Sequence, residues 1–286
     1  MDTKKVQLRA VRSDGQVFEY QNSDWGILTL EGIDFPAFEI FKVNRGSGNG
    51  VIITGKRKEA RDIDITAHER NNSNNAIDRR TALGFHNSNY TYDLYITYMG
   101  VTRIAKDCQI QGAKCPSKNV YESLELTVSY LHPESDLLGE NTDTTTFTDT
   151  IPMWHVTRAY TVGGSLTYGV ISHVTTKVIN YLGSEDTFLK IVVEASGFIE
   201  NLNITVNGIE LNIKIELKGS DVLIVDSESK TITLNGKDVP LSKYNGEMLP
   251  KLILKYGDNT VKVAPDDEGN TAFNADVTYI GRYGGL

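Results

Sequence analysis

In the sequence Arg61-Asp62-Ile63-Asp64-Ile65, the isoleucines Ile63 and Ile65 alternate with the aspartates Asp62 and Asp64. Alternation with a period of two residues is typical of a β-strand that has one buried face and one wet face. The strand lies in the region 55–130, where the succession of patterns is clearest. It predicts a sheet that covers a core with one of its faces.

A helix is predicted shortly after this strand, over residues 75–84. Asn75 can cap its start, as can the asparagine before it, and Gly84 suits the left-handed position just past its end. Ile77 and Leu83 lie six residues apart, so they can share one broad apolar face. The expected arrangement is a single short helix packed on a sheet.

A meander of strands follows the helix. Tyr92–Tyr98 and Val101–Ala105 flank the turn pair Met99-Gly100, which predicts a hairpin. Asp107–Ala113 is a third run, and Tyr121–Tyr130 is a fourth run with alternating apolar residues. Together with the first strand and the helix, these runs predict a small sheet domain.

The residues before this region are also predicted to be extended. Val6–Tyr20 is a hairpin by its Asp-Gly turn, and Trp25–Ile33 and Pro36–Val43 are further strands. The loop Asn44–Gly50 is rich in glycine but lacks the Gly-Lys-Ser/Thr ending of a phosphate-binding loop. It is therefore interpreted as a mobile or bulged turn.

The order of these elements resembles the N-terminal domain of the distal tail protein (Dit) family of long-tailed bacteriophages. That family has an Arg-x-Ile-x-Ile strand, then a helix with Arg and Leu, then a Leu-x-Ile-x-x-x-Gly-x-x-Arg hairpin, and a closing strand before a proline-containing linker. The matching residues are Arg61–Ile65, Arg79, Arg80, Leu83, Leu94–Arg103 and Val128–Pro133. Arg61 and Arg103 have an equally plain interpretation as solvated charges on strand faces. In the family, extensions near the Asn44–Gly50 loop reach a neighbouring subunit, so the resemblance implies such a use for this loop.

The second half of the sequence contains strand signals every eight to twelve residues, as in a β-sandwich. Residues 141–150 are rich in Thr and Asp, and they form either an exposed linker or an edge strand that begins this half. We therefore expect two domains, 1–138 and 139–286. The candidate strands are Trp154–Tyr160, Tyr168–Ile171, Lys177–Tyr181, Phe188–Ala195, Leu202–Val206, Ile209–Leu217, Val222–Val225, Thr231–Leu234, Leu252–Tyr256, Thr260–Ala264 and Ala275–Tyr279.

This half resembles the C-terminal domain of the Dit family, a galectin-like β-sandwich. The segment Glu200-Asn201-Leu202 departs from the family, which often has Asn-Pro after the preceding glycine. The resemblance implies a mostly β protein, with a split β-barrel or sheet domain carrying one short helix, followed by the sandwich. The matching segments are Gly197–Asn203, Leu217–Asp226, Ile232–Gly236, Leu254–Val261 and Val277–Gly284.

Composition and charge restrict the partners that we expect. The 286 residues carry a net charge of −8 and no basic block, which argues against specific nucleic-acid binding. No apolar run is long enough for a membrane helix, and the first residues lack the apolar region of a signal peptide, so we expect synthesis in a cytoplasm and no membrane association. Cys108 and Cys115 are too few for a disulfide scaffold and are expected to be free structural thiols.

No enzyme, cofactor or metal site is predicted, and no catalytic residue is assigned. The five histidines have neither zinc-site spacing nor a His-Glu-x-x-His sequence, and Gly46-Ser47-Gly48 is not a nucleophile elbow. The carboxylates Asp266, Asp267 and Glu268 lie in a predicted solvated turn. A carboxylate pair from distant strands would leave no such signature. The histidines are His68, His86, His132, His155 and His173.

A carbohydrate-binding module for attachment to a host cell surface is the alternative function. Aromatic rings exposed on a β-sandwich can stack on sugars, whereas most aromatic residues of such domains pack in the core. Trp154, Tyr160, Tyr168 and Tyr181 are the available rings. A sugar titration followed by tryptophan fluorescence would separate the two interpretations.

The resemblance implies a structural virion protein, not an enzyme. Members of the Dit family form a homohexameric ring at the distal end of the tail, in the baseplate or tail tip. The ring joins the tail tube to the adsorption apparatus and leaves a central channel for DNA. The implied partners are further copies of this chain, a tail tube protein, a tail-associated lysin or tail fibre protein and, in some phages, receptor-binding proteins.

Overall fold

The computed structural model describes residues 6–70, 75–116, 123–152, 169–173, 175–267 and 272–286. The chain divides into two compact units. The first unit comprises Met1–Glu140 and Arg282–Leu286, and the second comprises Asn141–Gly281. The chain therefore passes from the first unit to the second and back, and we call Arg282–Leu286 the returning segment. The boundary expected from the sequence, between residues 138 and 139, lies two residues before the first of these two crossings.

The first unit is built from antiparallel strands and the one α-helix of the described residues. Seven strands form a sheet in the order β2-β1-β7-β8-β9-β6-β3, while β4 and β5 form a separate two-stranded ribbon. The elements are β1 (Val6–Arg12), β2 (Val17–Glu19), β3 (Trp25–Glu31), β4 (Phe38–Asn44), β5 (Val51–Lys58), β6 (Arg61–Glu69), α1 (Asn75–Phe85), β7 (Thr91–Tyr98), β8 (Val101–Lys114) and β9 (Glu125–His132).

The alternation that predicted the strand at Arg61–Ile65 is confirmed. In β6, Ile63 and Ile65 are fully buried, whereas Asp62 and Asp64 are exposed. The predicted hairpin is confirmed too, since β7 and β8 meet at a turn in which Met99 and Gly100 both have positive φ angles, 50° and 85°. This backbone matches the two-residue turns that suit the twist of antiparallel strands.

Three local predictions in this unit are wrong. Asp107–Ala113 is not a separate strand but continues β8, which is irregular at Asp107, where φ is +54°. A bulge lets a long strand change direction without ending. In α1, Gly84 lies inside the helix, and Ile77 is 63% exposed although it was expected on the apolar face.

The core of the first unit is rich in aromatic rings. Phe18, Phe85 and Tyr92 pack edge-to-face or tilted against their neighbours, with ring centroids 5.0–5.9 Å apart. The hydroxyl groups of Tyr130 and Tyr20 share a hydrogen bond of 2.8 Å. These residues come from strands and from the end of α1, so the helix is held to the sheet by ring packing.

The second unit contains two antiparallel sheets that enclose one core, which is the predicted sandwich. One sheet has the order β19-β18-β17-β14-β22, and the other has the order β13-β21-β15-β16. β10 begins in the first unit and β22 ends there, while the strands between them belong to the second unit. The strands are β10 (Leu137–Thr146), β11 (Thr148–Pro152), β12 (Gly169–His173), β13 (Thr176–Tyr181), β14 (Thr187–Ala195), β15 (Ile199–Val206), β16 (Ile209–Leu217), β17 (Val222–Asp226), β18 (Thr231–Leu234), β19 (Lys237–Asp238), β20 (Ile253–Leu254), β21 (Gly257–Pro265) and β22 (Phe273–Tyr283).

Most of the predicted strands of this half are confirmed. Residues 141–150 lie mainly in β10 and β11, so the strand interpretation holds and the linker interpretation is wrong. Leu252–Tyr256 is reduced to the two residues of β20 and follows two short 3-10 helices, Leu241–Lys243 and Leu249–Lys251. Trp154–Tyr160 lies outside the described residues, as does the start of Tyr168–Ile171.

Candidate interaction surfaces

The β4–β5 ribbon contains seven of the large apolar side chains that are exposed in the described part of the first unit. Its strands pair with each other and with no other described strand. At its base, the Glu59 amide donates to the Ala37 carbonyl at 3.0 Å, and Lys58 Nζ lies 2.7 Å from Asp136 Oδ1. The exposed apolar side chains are Phe38, Ile40, Phe41, Val43, Val51, Ile52 and Ile53.

Both faces of this ribbon are apolar. Successive side chains of a strand point to opposite faces, so Ile52 lies on one face while Val51 and Ile53 lie on the other. Ile53 is 65% exposed. A two-stranded ribbon is at best marginally stable in water, and an exposed apolar patch of this kind usually marks a contact surface. The ribbon therefore has the character of a surface that another chain covers.

The ribbon is also basic, in a chain of net charge −8. Lys56 Nζ lies 3.6 Å from the centre of the Phe38 ring, and Arg57 forms an ion pair of 2.7 Å with Glu39. Glu39 is the one acidic residue of the ribbon. Its basic residues are Lys42, Arg45, Lys56, Arg57 and Lys58. A partner surface for the ribbon should thus be apolar at its centre and acidic at its rim.

The outer face of β3, β6 and β9 has the opposite character. Glu31 lies opposite Asp64 across the β3–β6 pair, and Glu125 lies opposite His68 across the β6–β9 pair. Ser129 donates a hydrogen bond to Asp64, and Gln111 Nε2 donates to Asp62 Oδ1 at 3.0 Å. Arg70 and Lys114 are the basic residues at the margin of this face. We call this surface the acidic face.

A polar groove of about 440 Å³ lies on the outer face of β1, β2 and β7. The Arg9 guanidinium group stacks on the Tyr95 ring at 4.5 Å, and Thr97 and Thr102 share a hydrogen bond of 3.0 Å. Glu19 lies directly opposite Arg9 in the register. The groove is polar, and four of its lining side chains contact one another in the pairs Arg9–Tyr95 and Thr97–Thr102.

The structure changes the interpretation of Arg61. This side chain is only 3% exposed and donates to backbone carbonyl groups of three loops, so the expectation of a solvated charge is wrong. Arg103 is half-buried, and its guanidinium group lies 3.4 Å from the centre of the Tyr283 ring. Arg79 Nε donates to the Cys115 carbonyl at 2.7 Å. Sequence reasoning missed these roles because the carbonyl groups that Arg61 and Arg79 bind and the ring that Arg103 stacks on lie 27 or more residues away in the chain.

Several of the histidine and cysteine side chains that were considered as catalytic candidates are buried or bound to backbone groups. His86 is buried, and His132 Nδ1 and Nε2 lie 2.9 and 3.0 Å from the carbonyl oxygens of Lys106 and Asp136. Burial raises the pKa of both Cys108 and Cys115, which are free thiols. A buried thiol with a raised pKa carries little of the reactive thiolate form.

The remaining candidates do not converge on a site. Asp266 accepts hydrogen bonds from Asn201 and Asn203, each at 2.8 Å. Within the described residues no group of three or more His, Cys, Asp or Glu side chains could hold a metal ion. His155 and Glu268 lie outside these residues, and so does the side chain of His173. No helix in the described part of the chain is long and apolar enough to cross a membrane.

The aromatic rings proposed for sugar stacking are only partly described. Tyr181 is 2% exposed, and its hydroxyl group donates to the Glu185 carbonyl at 2.8 Å, so it packs in the core of the sandwich. Trp154, Tyr160 and Tyr168 lie outside the described residues. Tyr181 therefore gives no support to the carbohydrate-binding alternative.

The fold and the exposed ribbon define a mostly β protein of two units whose first unit is suited to contact with other chains. Its fold is similar to that of a solved Dit protein, from phage SPP1. The two share 13% of their residues with a TM-score of 0.64, and the match covers 96% of this chain and 98% of that one. The SPP1 protein is described as a paradigm of the hub adsorption apparatus in phages that infect Gram-positive bacteria. The resemblance to the Dit fold expected from the sequence is confirmed.

Two chains from structures of the phage P2 baseplate in its activated conformation show weaker likeness. The one with Ca has a TM-score of 0.44 at 8% identity and covers 96% of this chain and 98% of its own. The one with Sr has a TM-score of 0.42 at 9% identity, with coverage of 96% and 97%. These scores are too low to establish a common fold. No family model matches the sequence, and no curated protein does.

Proposed function

We propose that this chain is a structural component of a phage tail, a distal tail hub located at the baseplate or tail tip. In this proposal six copies close into a ring that joins the tail tube to the adsorption apparatus. The single observation that carries the proposal is the β4–β5 ribbon, which is apolar on both faces and unpaired within the described chain. The Dit fold supports the same conclusion.

The ribbon is suited to a contact between identical subunits. A head-to-tail contact uses two different surfaces of each copy, and it closes into a ring when the rotation permits. The ribbon supplies one surface, and an acidic surface of the next copy would complement its Lys and Arg residues. Each Ile or Val side chain that becomes fully buried contributes about 1.5–3 kcal/mol.

The acidic face is our candidate for the lining of the channel. The carboxylate groups of this face repel the phosphate backbone, so the face would let DNA pass without holding it. The tail tube protein would contact one side of the ring, and a tail-associated lysin or tail fibre protein the other. The second unit would carry receptor-binding proteins. A ring in which Lys and Arg predominate on the lumen would rule out this role of the acidic face.

Negative-stain imaging together with mass measurement in solution tests the ring. We expect six-fold particles with a central hole for the parent protein, and single copies for Ile53→Asp, which places a charge in the contact. Val178→Asp is the matched control, since Val178 is an equally exposed strand residue of the second unit. The control should assemble like the parent.

Two outcomes would contradict the proposed assembly. Rings that form equally well with Ile53→Asp would exclude the ribbon as the contact. A parent protein that stays a single copy in the presence of tail tube protein, and whose tryptophan fluorescence responds to cell-wall polysaccharide, would favour the carbohydrate-binding alternative.

A further inference from the structure

Two arginines of the motifs that carry the Dit resemblance converge on the returning segment. Arg61 opens β6 and Arg103 lies in β8, forty-two residues later in the chain. Both reach Arg282–Leu286, which is synthesised after the whole second unit but belongs to the first. Neither the ribbon nor the acidic face requires these two contacts, so they call for a separate explanation.

Arg61 binds the backbone of the returning segment. Its Nη2 donates to the Gly284 carbonyl at 2.6 Å and to the Ser135 carbonyl at 2.7 Å, and Nε also donates to Ser135 at 3.0 Å. Its Nη1 donates to the carbonyls of Gly32 and Asp34 at 3.1 and 2.7 Å. Five hydrogen bonds use all five N–H groups of the planar guanidinium fork. Removing Gly284 would leave a buried charged donor without one of its acceptors.

Arg103 contacts a side chain of the returning segment, that of Tyr283. Its guanidinium carbon lies 3.4 Å from the centre of the Tyr283 ring, which is the stacking distance of a cation–π contact. Nη1 of Arg103 donates to the Thr102 carbonyl at 3.1 Å, which fixes the plane of the group. The contact therefore selects a residue with an aromatic face at position 283.

The turn after β3 closes the other side of the segment. The Leu286 amide donates to the Ile33 carbonyl at 3.1 Å. A Cβ atom on Gly285 would lie 3.2 Å from the backbone of Asp34 and Phe35, so the site leaves little space for a side chain there. Gly32 is equally constrained, because its φ is +79° and an added Cβ would lie 1.8 Å from the Asp62 carbonyl oxygen.

We propose that Arg61, Arg103 and the turn Gly32–Phe35 form a peptide-binding site of the first unit whose ligand is the chain's own Tyr283-Gly284-Gly285. The ligand class is an extended peptide with an aromatic residue followed by two glycines. The first unit is complete only when this site is filled. Since the ligand is synthesised after the second unit, the first unit completes last. If the proposed ring is correct, assembly therefore waits for the full chain.

Limited digestion of the full-length protein with trypsin tests the site. Trypsin cleaves after Arg282, and cleavage there releases Tyr283–Leu286, which mass spectrometry detects. We expect slow cleavage in the parent, because a held segment must first open. Tyr283→Ala removes the stacking, and Arg61→Lys keeps the charge but cannot span the carbonyl groups. Each should speed cleavage at Arg282 about tenfold or more.

Matched controls separate this effect from general loosening. Arg9→Ala removes another arginine that stacks on a tyrosine in the same unit and should leave the cleavage rate unchanged. Gly285→Val keeps both arginines and should also speed cleavage, whereas Gly46→Val, at a glycine with open space around it, should not. Cleavage sites within the second unit serve as an internal reference in every digest.

Equal rates at Arg282 in the parent, Tyr283→Ala and Gly285→Val would overturn the site, even if Arg61→Lys failed to fold. A rise at Arg282 that is matched by equal rises throughout the second unit would overturn it as well. Digestion is performed on single copies at low protein concentration. Its result therefore does not depend on whether rings form.

Discussion

At the scale of single residues, the end of the helix shows how a distant side chain decides a local structure. Arg12 Nη1 donates to the carbonyl groups of Gly84 and Phe85 at 3.2 and 3.0 Å, and Tyr92 also donates to Phe85 at 2.8 Å. A cation at the C-terminal end of a helix interacts favourably with its last carbonyl groups. With these donors in place, α1 ends without a left-handed glycine.

The Arg12 side chain is held in place by Asp14. Nε and Nη2 donate to the two carboxylate oxygens of Asp14 at 2.9 and 2.7 Å. This bidentate hydrogen bonding lowers the pKa of Asp14 to about 2. The turn of the first hairpin thus positions the group that ends the helix.

His86 predicts a pH dependence of stability. Its Nδ1–H donates to the Ala82 carbonyl at 2.6 Å, so Nε2 accepts the hydrogen bond of 2.5 Å from the Tyr20 hydroxyl group. Burial lowers the pKa of His86 from 6.5 to about 4. Between these values the unfolded chain binds a proton that the folded chain does not, so the free energy of unfolding falls as the pH falls from 6.5 to 4. The total loss from this group is about 3 kcal/mol.

Urea unfolding at a series of pH values between 7 and 4 measures this loss. His86→Gln keeps hydrogen-bonding groups but does not titrate, so its pH dependence in this range should be weaker by about 3 kcal/mol. The comparison removes the contribution of the carboxylates, which titrate in both proteins. Identical pH dependence of the two proteins would show that His86 is not the responsible group.

At the scale of elements, α1 binds the sheet through its C-terminal end. Ala82 and Phe85 are buried, while Ile77 near the start is exposed. Phe85→Ala should therefore lower the free energy of unfolding by about 3–5 kcal/mol. Ile77→Ala, the matched apolar truncation on the same helix, should change it by less than about 0.5 kcal/mol. Chemical denaturation of both variants measures the difference, and a large effect of Ile77→Ala would mean that a partner chain covers it.

The strands were predictable from the sequence because their signal is local. In β6 and β16, the alternation of apolar and polar residues indicates which face is buried. The Asn207-Gly208 turn indicates which two strands pair. The bulge at Asp107 was not predictable, since it depends on a bond of 3.1 Å from its amide to Asp93 on the neighbouring strand. The exposed face of α1 was missed for the same reason.

The candidate surfaces divide in the same way. The loop Asn44–Gly50 was singled out by its glycines, but the apolar ribbon that carries it becomes visible only when β4 and β5 pair and leave both faces open. For Arg61, the sequence shows a charged residue between Ala60 and Asp62. The carbonyl groups of Ser135 and Gly284 that bury it lie more than seventy residues away in the chain.

At the scale of the whole molecule, the described residues form two separate hydrophobic cores. One core is formed by residues of the first unit, such as Leu126, and the other by residues of the second, such as Leu223. The chain crosses between the units twice, after Glu140 and after Gly281. Two cores of this size are each large enough to unfold cooperatively.

Calorimetry should therefore resolve two unfolding transitions in single copies of the protein. Leu126 and Leu223 are both fully buried, so each change to alanine should cost about 2–5 kcal/mol. Leu126→Ala should lower the temperature of one transition and Leu223→Ala that of the other, which assigns each transition to its unit. Tyr283→Ala should lower the temperature of the same transition as Leu126→Ala. The reason is that the returning segment belongs to the first unit, although it follows the second in the chain. A single transition that both leucine variants shift by the same amount would mean that the two cores unfold as one, and the proposed order of folding would then have no separate first unit to complete.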